Sequence, residues 1–230
     1  MKPLEKLTDK EGYQVALFPL EYIYVSQADN GTFSHEGGSW YYATDYLGWG
    51  ANGRVLRCQA YAPVDLKCIY IDTGECMACW ESLEKVHLAN GMIDYLGVIT
   101  YHDNDISDGA IYVGLTVRQG ENFVKTGTGG NVSGDHIHLE TGYGKYTQPN
   151  ISTGRGTPNY KYHFTDYTDV KRLHNYDALY INDTVNVYSP DYYTWIKYDT
   201  ETPDLPPILK TSKFKWVLYA NKIRKYIMEV

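Results

Sequence analysis

From residue 15 to residue 142 the apolar positions fall in short runs with a period near two, cut by glycine, proline and Asn-Gly steps. That spacing sends successive side chains to opposite faces of an extended strand. Residues 15–25 are apolar and aromatic, broken by Pro19, and predict one or two short strands before an Asp29-Asn30-Gly31 turn. Residues 40–48 resume a strand pattern that stops at Gly48. Residues 53–71 predict two β segments around Ala62-Pro63, with Pro63 at an edge or an entry position because it has no N–H to give a ladder. Residues 77–88 and 97–102 predict two more, with a turn at Asn90-Gly91. Residues 103–109 read as a solvated acidic loop that orients His102. They miss the EF-hand pattern, because the glycine comes one place late and Gly114 stands where the closing Glu would fall. Helical periodicity is nearly absent up to residue 142, so the fold class is mainly β.

Beyond Gly142 the pattern changes. Residues 143–160 are rich in Gly, Pro, Thr, Ser and Asn and predict a loop or linker, and residues 160–200 are dense in tyrosine. Trp216, Tyr219, Ile223, Tyr226, Ile227 and Val230 stand at helical spacing and predict a terminal amphipathic helix, locally basic through Lys213, Lys215, Lys222, Arg224 and Lys225. The expected division is a domain of residues 1–145 and a Tyr-rich extension of residues 146–230.

Composition narrows the function classes. A formal net charge of -7 argues against a general nucleic-acid binder. No run is long and apolar enough to span a bilayer, and the first residues lack the apolar core of a signal peptide, so the expected routes are retention in a cytoplasm, lysis or virion assembly. There are 24 Tyr against 5 Phe, which favours half-polar β surfaces able to meet sugars or peptides. Cys58 and Cys68 sit in apolar runs and read as buried thiols. Cys76 and Cys79 form a CxxC without a second one, a weak pattern for a thiolate zinc site.

The chemistry concentrates in residues 120–142, where a glycine-rich run leads into His136-Ile137-His138-Leu139-Glu140. On a strand His136, His138 and Glu140 line one face, while Ile137 and Leu139 enter a core. Two imidazoles side by side suit a metal site in which one ligates and the other handles protons. Further histidines stand at the ends of β segments: His35 before Gly37-Gly38, and His102 after Tyr101. His87, His163 and His174 read as packing or surface residues.

Taken in order, Ser34-His35-Glu36-Gly37, Thr44-Asp45-Tyr46, Tyr61-Ala62-Pro63-Val64-Asp65, Tyr101-His102, and Gly134-Asp135-His136-Ile137-His138 resemble the lysostaphin-like zinc endopeptidases, peptidase family M23. The stretch from Val117-Arg118-Gln119-Gly120 to Gly127-Thr128-Gly129-Gly130 looks like that family's approach to its last motif. The resemblance spans residues 31–142. It implies an antiparallel β-sheet core, a Zn2+ ion on His35, Asp45 and His138, and His102 and His136 at the reacting carbonyl and water. Glu140 then becomes a group that orients an imidazole. It also implies hydrolysis of peptide cross-links in bacterial peptidoglycan. With no signal peptide, the expected setting is a bacteriophage: a virion- or tail-associated peptidase, or an endolysin released from the host cytoplasm to the wall, with other virion proteins as partners. A catalytically inactive tail module is the competing reading. The extension would bind wall, dock to the virion or pack on the core. Two features depart from the pattern. His102 follows Tyr101 directly, and nine residues separate His35 from Asp45, so Asp29 and Asp65 stand as alternative ligands.

Overall fold

The computed structural model describes residues 1–36, 41–145, 171–188 and 193–199, and the backbone of 215–219 and 222–226. His163 and all but the first three residues of the 143–160 loop or linker lie outside the described residues, as do Gly37 and Gly38. Two compact units are present, Met1–Tyr198 and Asp199–Val230.

The first unit is built on an eight-stranded antiparallel sheet, and the mainly β expectation holds. Across it run Thr116–Val117, Leu66–Asp72, Met77–Ser82, Leu96–Tyr101, Ile137–Tyr143, Thr44–Tyr46 and Val25–Gln27. Lys171–Leu173 pairs with the far end of Ile137–Tyr143. Met77–Ser82, Leu96–Tyr101 and Ile137–Tyr143 are buried along almost their whole length, so both faces of the sheet centre are covered.

Alternation assigns the faces. Ala78, Trp80, Leu96, Val98, Ile137, Leu139 and Tyr46 enter the main apolar core. On the opposite face Met77, Cys79, Ile99 and Tyr101 form a small cluster of their own. That face also receives Asp45, His138 and Glu140 by the same period of two.

Residues 171–198 belong to this unit. Ala178, Leu179 and Trp195 join the main core, with Trp195 edge-on to Phe18 at 4.8 Å. Buried Asn175 donates to the Tyr46 hydroxyl and the Leu139 carbonyl and accepts from Thr141 Oγ1. The edge of the compact unit therefore falls at 198/199, some way past the 145/146 boundary read from composition.

Two readings are corrected. Residues 103–109 are solvated only at their far end, Ser107 to Gly109. Asn104–Ser107 forms one helical turn capped by Asp103, which is 1% exposed and ion-paired with Arg57. Repeated acidic residues suggested solvation, and a cation distant in sequence reverses it. The terminal segment is not a helix. Lys215–Tyr219 and Lys222–Tyr226 pair antiparallel, with Leu218 opposite Ile223. Trp216-Val217-Leu218-Tyr219 is an aromatic and branched run of high β propensity, and a two-residue Ala-Asn connection favours a hairpin.

Candidate metal centre

Strand register assembles the site. In the sheet His138 lies directly opposite Tyr101 on one side and Asp45 on the other. Glu140, two residues on, faces the same way. His35 arrives from the turn after Val25–Gln27, its N–H bonded to the Gly31 carbonyl at 2.9 Å. A side chain at Gly31 would meet the Ala28 carbonyl at 2.8 Å, so that tight turn needs glycine. Of the nine residues between His35 and Asp45, Thr44 already belongs to the strand that carries Asp45.

His35, Asp45 and His138 are all buried and offer ligand atoms within 4.8 Å of one another. His35 Nε2 is 3.4 Å from Asp45 Oδ1, and His138 Nδ1 is 3.0 Å from the same oxygen. Donors on one tetrahedral zinc stand about 3.3 Å apart, given bonds of about 2.0–2.1 Å. His136 Nε2 is 3.7 Å from Asp45 Oδ2. The rings of His102 and His136 lie 4.5 Å apart, centroid to centroid.

The imidazole tautomers follow from partners that can only accept. His35 Nδ1 faces the Ala28 carbonyl at 3.0 Å, so it carries the proton and leaves a lone pair on Nε2. His138 Nε2 faces the Glu140 carboxylate at 3.1 Å, which puts its proton there and a lone pair on Nδ1. Both lone pairs then point at the Asp45 carboxylate. Three acceptors converging in a buried place need a cation or an added proton between them. The His35–Asp45–His138 set therefore fits a zinc ion, held by two imidazoles and a carboxylate.

The ionisation behaviour agrees. Burial works to lower the pKa of His138, but hydrogen bonds and charge from Asp45 and Glu140 outweigh it and raise it to about 9. Without metal, a proton takes the cation's place. Burial works to raise Asp45, and bonds and charge from His138 and His35 overcome it, holding the carboxyl far below its ordinary range. His102 goes the other way. Burial first, then the neighbouring His136, lowers it to about 4, so it is neutral at pH 7.

Both remaining histidines are held at Nδ1 by a backbone carbonyl, which leaves the lone pair on Nε2. His102 Nδ1 faces the Gly129 carbonyl at 2.9 Å, and His136 Nδ1 faces the Gly134 carbonyl at 2.8 Å. All five residues singled out in the sequence thus come together. The alternatives do not join them. Asp29 is engaged by His174 and Tyr193, and Asp65 by Arg118, Gln14 and Gln119. His87 pairs with Asp9. All four cysteines are free thiols; Cys68, Cys76 and Cys79 are buried and Cys58 is half-buried. Sequence reasoning missed Arg57, which touches Asp103, Asn104, Asp105 and Thr126 around the site. An isolated arginine in a short apolar run gives no signal of such long-range contacts.

No protein-family model matches the chain. Morphogenesis protein 1 of Bacillus phage B103 is 32% identical over 129 residues, which are 56% of this chain and 32% of that protein. The chain thus spans about a third of the length of the curated relative it matches. A solved structure described as a zinc containing peptidase from Vibrio cholerae aligns over 59% of this chain and 42% of that chain, with 14% identity and a TM-score of 0.37. A likeness that low carries no argument.

Proposed function

We propose that the chain is a zinc-dependent endopeptidase of the lysostaphin-like M23 type, acting for a bacteriophage on peptide cross-links of bacterial peptidoglycan. The observation that carries this reading is the convergence of His35 Nε2, Asp45 Oδ1 and His138 Nδ1, with His102 and His136 alongside. The motif order along the sequence and the similarity to a phage morphogenesis protein support it.

Bound zinc supplies Lewis acidity, which brings the pKa of water from about 15.7 to about 7 in favourable sites and polarises a carbonyl. The rest is work for the chain's own residues. His35, Asp45 and His138 hold the ion, and Glu140 fixes the ring of His138. The Nε2 lone pairs of His102 and His136 face the place where a scissile amide would lie. One accepts the proton of the attacking water and passes it to the leaving amine. The same imidazole, once protonated, steadies charge developing on the carbonyl oxygen. The expected place of action is the virion or tail, or the wall after release from the host cytoplasm. A docking role for the extension falls to residues 199–230. Their lysines and Arg224 would meet anionic wall polymer, and such binding weakens as salt rises.

Mass spectrometry of peptidoglycan digested by the purified protein tests the reading and identifies the bond cut. The expected result is new free amines at cross-bridge or stem peptides, one zinc per chain, and loss of both in His138→Ala. Zinc-loaded protein that releases no wall peptides would leave the inactive tail module as the better account.

A further inference from the structure

His102 sits at φ +80°, a left-handed conformation that a residue with a side chain holds only when its surroundings impose it. The Cys76 carbonyl, which accepts the His102 N–H at 2.9 Å, and the segment of residues 126–129 hold it there. Gly129 N–H donates to the His102 carbonyl at 3.0 Å, and the Gly129 carbonyl takes the His102 Nδ1 proton. The same segment holds the neighbouring imidazole: Gly127 and His136 exchange both backbone hydrogen bonds, at 3.0 and 3.1 Å. A side chain at Gly127 would come within 2.0 Å of the His102 carbonyl oxygen, so the clamp closes only over glycine.

The clamp is anchored in turn by one ion-paired group. Arg57 Nη1 donates to the Thr126 carbonyl at 3.0 Å, to Asp103 Oδ1 at 2.8 Å and to Asn104 Oδ1 at 3.2 Å. Asp103 Oδ2 accepts the Lys125 N–H at 2.7 Å, and Asn104 Oδ1 accepts the Thr128 N–H at 3.1 Å. The backbone N–H of Arg57 reaches Asp135 Oδ2 at 3.1 Å, one residue before His136. The Arg57 side chain therefore ties the two residues after His102 to the start of the clamping segment, while its backbone N–H, which any residue would supply, meets the residue before His136. A planar guanidinium with several fixed donors can make the side-chain part of this, and a lysine ammonium cannot reproduce it. Burying the Asp103 carboxylate against a guanidinium that stays one-third exposed is a costly way to add stability, and it serves to fix geometry.

We propose that Arg57 and Asp103 are positioning residues for the reaction, holding the rings of His102 and His136 side by side next to Asp45 through residues 126–129. The proposal rests on the peptidase reading for its kinetic consequence and on the hydrogen bonds alone for its structural one. The test compares full-length wild type, Arg57→Gln, Arg57→Lys and Asp103→Asn. In zinc-free protein, imidazole NMR should show a His102 Nδ1 proton protected from solvent exchange in the wild type and lost in Arg57→Gln. Zinc content and cooperative melting should stay as in the wild type, since Arg57 touches no metal ligand. On a soluble cross-linked wall peptide, kcat should fall about 100-fold, with KM within about threefold, as for a catalytic group displaced by an ångström. Arg57→Lys, which keeps the charge, should fall between and still fold, so it decides the matter if Arg57→Gln does not fold. A His102 proton that stays protected in the variants, or a kcat loss matched by loss of zinc and of folded protein, overturns the proposal. If wild type cleaves no wall peptide, the functional reading fails, and the His102 resonance still decides whether Arg57 positions the ring.

Discussion

His138 is held at both ring nitrogens by carboxylates, and that arrangement sets how metal binding depends on pH. Its pKa is raised from the ordinary 6.5 to about 9. The stability this proton gives the metal-free protein is complete below about 6.5 and is lost as pH rises through about 9. Asp45 has the opposite sign: its contribution is complete above the ordinary 3.8 and is lost as pH falls toward its depressed folded value. Zinc must displace the His138 proton, so apparent affinity should climb about tenfold per pH unit between 6 and 8 and level off near 9. Calorimetry in buffers of different ionisation enthalpy should detect about one proton released per zinc at pH 7. A flat affinity over that range would mean the imidazole is already neutral. Glu140→Gln removes the carboxylate that orients His138 and raises its basicity. It should weaken zinc binding by about 10–100-fold, read by competition with a chelator, while the fold persists.

The strand Ile137–Tyr143 joins the site to the core, because neighbouring residues on it serve opposite faces. Leu139 packs fully buried between His138 and Glu140. Leu139→Ala should cost ~2–5 kcal/mol of stability, read as a fall in the denaturant midpoint. A loss under ~1 kcal/mol would mean the sheet closes over the gap more easily than well-packed interiors do. The faces of this strand were legible in sequence, since a period of two leaves no choice once Ile137 and Leu139 go inward. Its partners were not. That Asp45 stands beside His138 depends on the register between strands more than ninety residues apart, and on a turn at Gly31 that brings His35 back. Arg57 and Asp103 were illegible for the same reason, their contacts running between residues 46 positions apart. The terminal segment was misread because a short apolar run satisfies a helical and an extended spacing at once, and its β-branched and aromatic content decides for strands.

At the scale of the molecule the question is where the folded unit ends. Composition draws a line at 145/146, yet residues 171–198 complete the core laid down by residues 1–145. Tyr180 exchanges backbone hydrogen bonds with Ala16 and Phe18, and Asn175 satisfies Tyr46, Leu139 and Thr141. Cutting the chain at 145 would uncover the apolar surface under Leu179 and Trp195, at ~1.5–3 kcal/mol for each large side chain. It would also strip partners from buried polar groups at ~1–3 kcal/mol each. Against a typical total of ~5–15 kcal/mol, losses of that size remove the folded state. A protein of residues 1–145 should therefore be insoluble or melt without cooperativity, while residues 1–198 should melt within a few degrees of the full chain and bind one zinc. If instead residues 1–145 stay soluble and cleave small wall peptides, the core tolerates the loss of residues 171–198. Sedimentation with purified cell walls then separates the remaining role. The full chain should bind and release with added salt, and residues 1–198 should bind less at every ionic strength, because the basic cluster of the last thirty-two residues is the part removed. Equal binding by the two proteins would move the wall contact into the Met1–Tyr198 unit.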